Sequence, residues 1–235
     1  MTRFTHHTAA LLAALSLPFA TAAAVAAPAL PGTVSFSSNI VALQDTDWDA
    51  QLSVQQYGGS ATLTGVTVEL FGSLAGSLGA ESTDQQAATL TLTLASTIAL
   101  ALPTAGSPAL TVTPQYAKVV NFSAFDGSED FAGSSGIDVD LSTPVTRSAS
   151  LSFTDAASLA LFTGPGALTL DISARDGSMS TGAANYVDGY ASQAGAYARV
   201  TYSFASAPVP EPGTWALMAA GLGMLGTLAS RRRVG

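Results

Sequence analysis

The chain has 235 residues, with eight Lys or Arg against sixteen Asp or Glu, a formal net charge of −8 and no cysteine. That length suits one domain of ordinary size or two small ones, and the missing thiols exclude disulfides and thiolate metal sites. Between the two ends only Lys118, Arg147, Arg175 and Arg199 are basic, so the body is acidic and nucleic acid is excluded as a partner, because phosphate binding needs clustered Lys and Arg.

The first element in chain order is "MTRFTHHTAALLAALSLPFATAAAVAAPALPG". Arg3 begins a short basic region, an apolar run follows from Ala9 to about Phe19, and Ala24-Val25-Ala26 fits the small-residue cleavage pattern. These features predict a secretory signal peptide over residues 1–26, cut before Ala27. Its partners are the general secretion machinery and signal peptidase. His6 and His7 depart with it, leaving a mature protein with neither His nor Cys. Ser-His-Asp triads, Cys-His pairs and His-based zinc sites are thereby excluded. A Ser-Lys pair would have to use Lys118, the only lysine, and a solvated lysine is its ordinary reading.

Residues 27–205 read as one all-β domain. "TVSFSSNIVAL", "ATLTGVTVELFG", "ATLTLTLAS", "ALTVTPQY", "SLSFTD", "ALTLDISARDG" and "YARVTYSFAS" alternate apolar and polar residues. The cleanest case sets Leu90, Leu92 and Leu94 against Thr89, Thr91 and Thr93. Period-2 alternation rich in Thr, Val and Phe predicts half-buried antiparallel strands, separated by turn-rich breaks such as "YGGS", "DGSEDFAGSSG" and "RDGSMSTG". "TDAASLALFTG" fits either a short helix or a turn. The expected architecture is an antiparallel β-sandwich, jelly-roll-like, between the signal peptide and a single apolar C-terminal helix.

Candidate chemistry within the body is sparse. Asp45, Asp47 and Asp49 in "DTDWDAQ" occupy the first three odd positions of an EF-hand loop, but Ala50 and Gln56 replace its glycine and bidentate glutamate. A looser calcium site on those three acids is the one cofactor the sequence offers; the alternative is a polar strand entry with Trp48 turned into the core. Asp126, Glu129, Asp130, Asp138 and Asp140 could supply the carboxylate pair of a glycosidase, though clustered acids in an acidic chain ordinarily form a solvated face. "GSSG" lacks the lysine of a phosphate loop. Tyr186, Tyr190, Tyr197 and Tyr202 crowd one span; the first three are candidate ligand-binding residues, since an exposed tyrosine can stack on a sugar ring. Core packing is their commoner use.

The closing stretch, residues 206–235, holds Val209-Pro210-Glu211-Pro212, an apolar run and Arg231-Arg232-Arg233. The run from Trp215 to Ala229 has 15 residues, about 22 Å as a helix, short for a hydrocarbon core of roughly 30 Å. A span over 214–230 therefore needs bilayer thinning and snorkelling arginines. Arginines beyond it hold that end in the cytoplasm by the positive-inside bias, which leaves the prolines extended just outside the membrane.

This tail resembles the PEP-CTERM sorting signal of Gram-negative bacteria, in which the three parts recur in that order. The resemblance implies recognition of Val209, Pro210, Glu211 and Pro212 by an exosortase, orientation by Arg231, Arg232 and Arg233, transient inner-membrane anchoring, and delivery to the cell surface or extracellular matrix. The body is similar to the choice-of-anchor E domain, on "DTDWDAQLSVQQYGGSATLTGVTVELFGSLAGSLGAES", "DFAGSSGIDV" and "ARVTYSFA". That family implies no catalytic residues. The expectation is a non-enzymatic exported protein with a structural or adhesive role in an exopolysaccharide matrix. The alternative is a secreted carbohydrate-binding module or carboxylate hydrolase acting on matrix polysaccharide.

Overall fold

The computed structural model describes residues 31–104, 109–182, 185–205, 219–223 and 225. The chain divides into two units, Ala29–Ala207 and the remaining residues. The described part of the second unit is helical at 219–223 and 225. The predicted span over 214–230 otherwise lies outside the described residues, and among these no helix is long and apolar enough to cross a membrane.

The larger unit contains β1 (Pro31–Ser37), β2 (Val41–Asp45), β3 (Trp48–Gln55), β4 (Thr62–Ser82), β5 (Ala88–Ala101), β6 (Ala109–Val112), β7 (Gln115–Phe122), β8 (Gly136–Phe153), α1 (Ala156–Leu161), β9 (Ala167–Asp176), β10 (Met179–Gly182) and β11 (Tyr186–Ala205). Every ladder between these strands is antiparallel. One sheet runs β1-β11-β4-β8, with β2 also on β11; the other runs β10-β5-β9-β3, with β6 and β7 also on β5. Their buried faces meet as a sandwich, the fold class that the alternation predicts.

Side-chain alternation decides what each sheet buries. Val66, Val68 and Leu70 from β4 and Ala194, Ala196, Ala198 and Val200 from β11 meet Leu52, Val54, Ile98, Leu100, Leu170 and Ile172 from the opposite sheet. A second cluster joins Leu74, Leu78 and Ala80 to Leu90, Leu92, Leu94 and Phe122. The core thus has two compartments along the strands. Between them β5 changes partners, pairing β7 through Ala95 and β9 from Ser96 onward. Gly76 marks the same level on β4, where the β8 register shifts. Its φ of +129° suits glycine, and a β-carbon there would run into the Ala191 carbonyl.

Two strands are far longer than their alternating segments suggest. β4 has 21 residues and β11 has 20, spanning "GSLAGSLGAES" and "YVDGYASQAGA", stretches whose glycines and serines resemble turns in isolation. β4 is flanked by β11 and β8, whereas β11 is held through Ser192 by β4 alone and gains β2 and then β1 on its other side only from Gln193 onward. Pro144 lies within β8, which forms a sheet edge, where a missing N–H does little harm. The ambiguous "TDAASLALFTG" forms α1. Asp155 caps it, accepting from Ser158 N at 2.9 Å, and that bond holds the Asp155 carboxyl below its ordinary pKa.

Tyr202 closes the first compartment. Its side chain is wholly buried and its hydroxyl donates to the Gln55 carbonyl at 2.7 Å. Burial pushes the phenol from an ordinary 10.0 up to about 12. The folded protein therefore keeps a proton that the unfolded chain releases near pH 10, and the stability tied to it, complete below that pH, drains away as pH rises toward 12. Replacing Tyr202 with Phe should cost about 1 kcal/mol at neutral pH, for the lost bond to Gln55. The variant should also lose less stability than the parent between about pH 9 and about pH 12, as measured by urea unfolding. Parallel losses in the two proteins would show that Tyr202 does not carry the alkaline transition.

Candidate functional site

Trp48 turns inward, and its indole N–H donates to the Ala194 carbonyl at 3.1 Å. The aspartates around it are separated by that turn. Asp45 accepts from Gln193 Nε2 at 3.2 Å, Asp47 from the Asp176 amide at 3.1 Å, and Asp49 from Arg175 Nη2 at 2.6 Å. Asp47 has a φ of +68° at the tight β2–β3 connection. The three candidate calcium ligands thus each face a different partner, and among the described residues no three Asp, Glu or His side chains stand as a metal cluster.

Asp49 also borders a shallow depression of about 500 Å³ on the outer face of the second sheet, with Gln51, Ala99, Ala101, Ala109 and Asp171. Three alanines in adjoining strands make the floor low. At its rim Gln51 Nε2 donates to Asp171 at 3.0 Å.

Parity along β11 separates the candidate tyrosines. Tyr186 and Tyr190 pack against the second core cluster. Both hydroxyls reach β10, Tyr190 bonding the Ser180 hydroxyl and Tyr186 donating to the Ser180 carbonyl at 3.3 Å. Burial raises the pKa of Tyr190. Tyr197, an odd number of residues away, projects from the opposite face. There it stacks on Phe71 with centroids 4.6 Å apart and planes 5° from parallel. Arg199 lies over the Phe71 ring at 5.0 Å and pairs with Glu69 at 2.7 Å; that carboxylate raises the Arg199 pKa. The three tyrosines do not form one platform.

The remaining acids gather at the far end of the first sheet. Asp126, Glu129 and Asp130 sit exposed in the connection between β7 and β8, while Asp138 and Asp140 on β8 stand opposite Gly79 and Ser77 of β4. Beneath them lies a group that no sequence pattern marks. Glu81 continues the outward-facing row of β4, which alternation alone would expose, yet its side chain is fully buried. The covering loop, which sets that burial, has no periodic signature.

Ala24, Ala26 and Ala27 at the predicted signal cut lie outside the described residues, as do Val209, Pro210, Glu211 and Pro212 and Arg231, Arg232 and Arg233. For the tail, comparison supplies what geometry does not. The family model of the PEP-CTERM protein-sorting motif matches residues 208–233, so the chain carries that sorting motif. The match covers the tail and leaves the β-domain unassigned. No curated protein matches the chain. Among solved structures, that of infectious bursal disease virus Gt strain is 12% identical, with 92% of this chain and 53% of that chain covered at a TM-score of 0.16. The infectious bursal disease virus VP2 subviral particle is 12% identical over 92% and 54%, at a TM-score of 0.17. This chain spans about half the length of those chains. At such TM-scores nothing follows from the likeness.

The outer pair on the first sheet can be tested directly. Phe71→Ala and Tyr197→Ala, alone and combined, should show a coupling of about 1 kcal/mol in denaturant unfolding, the usual worth of a stacked cross-strand pair. Strict additivity would mean that Tyr197 is free of Phe71 in solution and open to a ligand.

Proposed function

We propose that this chain, whose closing segment is a PEP-CTERM sorting motif, is a non-enzymatic exported protein whose β-sandwich is released or displayed at the cell surface or in the exopolysaccharide matrix. The match over residues 208–233 carries this reading. In it, a signal peptide over residues 1–26 starts export, the span over 214–230 holds the protein in the inner membrane, and Arg231, Arg232 and Arg233 fix its direction. An exosortase then cuts near Val209–Pro212. The division of the chain supports the scheme, since the unit Ala29–Ala207 ends just before the motif. Removal of the tail takes none of the twelve elements.

A structural or adhesive role suits the composition of the body. Without His6 and His7 it has no imidazole or thiol for general acid–base or nucleophilic work. Its surface acids keep it soluble outside the cell through net charge.

Intact mass spectrometry of the native protein from envelope and extracellular fractions tests the proposal. The expected species begins near Ala27 and ends between Val209 and Pro212. Replacing Pro210, Glu211 and Pro212 together with Ala should leave the product membrane-bound, with Arg231 to Arg233 still present. A parent protein that itself keeps those arginines in every fraction would refute processing and make the tail a permanent anchor.

A further inference from the structure

Glu81 is the least explained polar group among the described residues. Its side chain is 0% exposed and neither carboxylate oxygen has a hydrogen-bond partner. A buried carboxylate without partners is costly, and buried polar groups in native proteins are nearly always satisfied. Arginine does not compensate it, because the two ion pairs among the described residues use Arg175 with Asp49 and Arg199 with Glu69. The surroundings deepen the problem. Glu81 lies opposite Gly136 at the start of β8, beneath a connection that carries Asp126, Glu129 and Asp130.

The local backbone converges on that carboxylate. A β-carbon at Gly136 would collide with Glu81 Oε2, and with the amide and carbonyl of Ala132 at the same point. Gly136 thus leaves open the space where a carboxylate oxygen and a main-chain carbonyl approach one another. Asp126 belongs to the same fold of chain. Its amide donates to Ser135 Oγ at 3.2 Å, and its Oδ2 would stand 2.6 Å from a β-carbon at Gly133, the residue after Ala132. Ser135 is itself fully buried, and its carbonyl accepts from Ser82 N at 2.8 Å, tying the loop to the end of β4.

We infer that Glu81 is the buried floor of a calcium site closed by the β7–β8 connection, with Asp126 and the Ala132 carbonyl as further oxygen donors. Only hard oxygen ligands are present, in an irregular loop, which suits calcium better than the rigid octahedron of magnesium. No three acids converge there, so main-chain carbonyls and water complete the shell of about six to eight oxygens. The site differs from the Asp45, Asp47 and Asp49 group, whose carboxylates are held by other partners. Its affinity falls in the range of extracellular modules, roughly 0.1 to 1 mM, where an exported protein meets free calcium.

The test is calcium chloride titration of the chelator-stripped full chain by calorimetry, with thermal unfolding followed in parallel. One ion should bind saturably and raise the unfolding midpoint. Glu81→Gln should lose binding, and Asp126→Asn should weaken it about tenfold. The order of stability should also reverse: in chelator Glu81→Gln unfolds above the parent, because it carries no uncompensated charge, and in calcium it unfolds below. Asp126→Asn alters an exposed loop position and keeps the test open if Glu81→Gln fails to fold. Absence of binding at several millimolar calcium overturns the inference. So does binding unchanged in both variants, or binding lost instead in Asp45→Asn and Asp49→Asn.

Discussion

The ladder between β4 and β11 is the constraint on which the rest of the domain depends. It runs from Tyr186 opposite Ser82 to Ala205 opposite Thr62, with one register shift near Ser203. Each core compartment takes one wall from this ladder. Val66, Val68 and Leu70 with Ala194, Ala196 and Ala198 serve the first, and Leu74, Leu78 and Ala80 with Tyr190 serve the second. A slip of one residue would turn both walls outward together. The alanines of β11 matter for the same reason, since short side chains there let β3, β5 and β9 close on the ladder. Where the two compartments meet, hydroxyls replace apolar groups: Ser192 bonds Thr46 at 2.6 Å and Asp176 at 2.8 Å.

Alternation made the inward faces legible. Leu90, Leu92 and Leu94 are buried as their spacing requires, and Trp48 enters the core between its aspartates. Strand length was not legible. Gly76 and Gly79 are held as strand by pairing on both flanks, and Gly189 by its pairing with Gly79 of β4 alone. That limit carries into the tyrosines. With the continuous strand known, parity alone puts Tyr197 opposite to Tyr186 and Tyr190; without it, four tyrosines in one stretch look like a cluster. The sorting tail shows the converse, because its signal is a linear order of residue types that needs no partner strand.

Charge is distributed less evenly than composition suggests. Arg175 and Arg199 each answer one acid on an outer face, and such exposed pairs contribute about 1 kcal/mol or less. Among the described residues, the acids at the far end of the first sheet have no such answer. Burial of Glu81 under their loop is therefore a feature of tertiary structure that neither periodicity nor net charge foreshadows. It singles out that end of the molecule chemically, since elsewhere the outer face of the same ladder carries Thr67, Thr201, the Glu69–Arg199 ion pair and the stacked Phe71–Tyr197 pair.

The ends of the domain add a geometric consequence. Pro31 of β1 stands opposite Ala205 of β11, so the first and last described residues of the sandwich lie side by side. Both predicted processing points are joined to that one corner, the signal cut through residues 27–30 and the sorting motif through Ser206 and Ala207. The Glu81 end is the opposite terminus of the ladder, some twenty residues along β4, or roughly 60 Å at ordinary strand rise. A tether at either chain end therefore grips the corner farthest from the acidic loop. Cutting near Val209 frees that corner without touching the ladder, because β11 has already ended at Ala205. The first and last described residues of the sandwich and the buried Glu81 thus lie at opposite ends of the β4–β11 ladder.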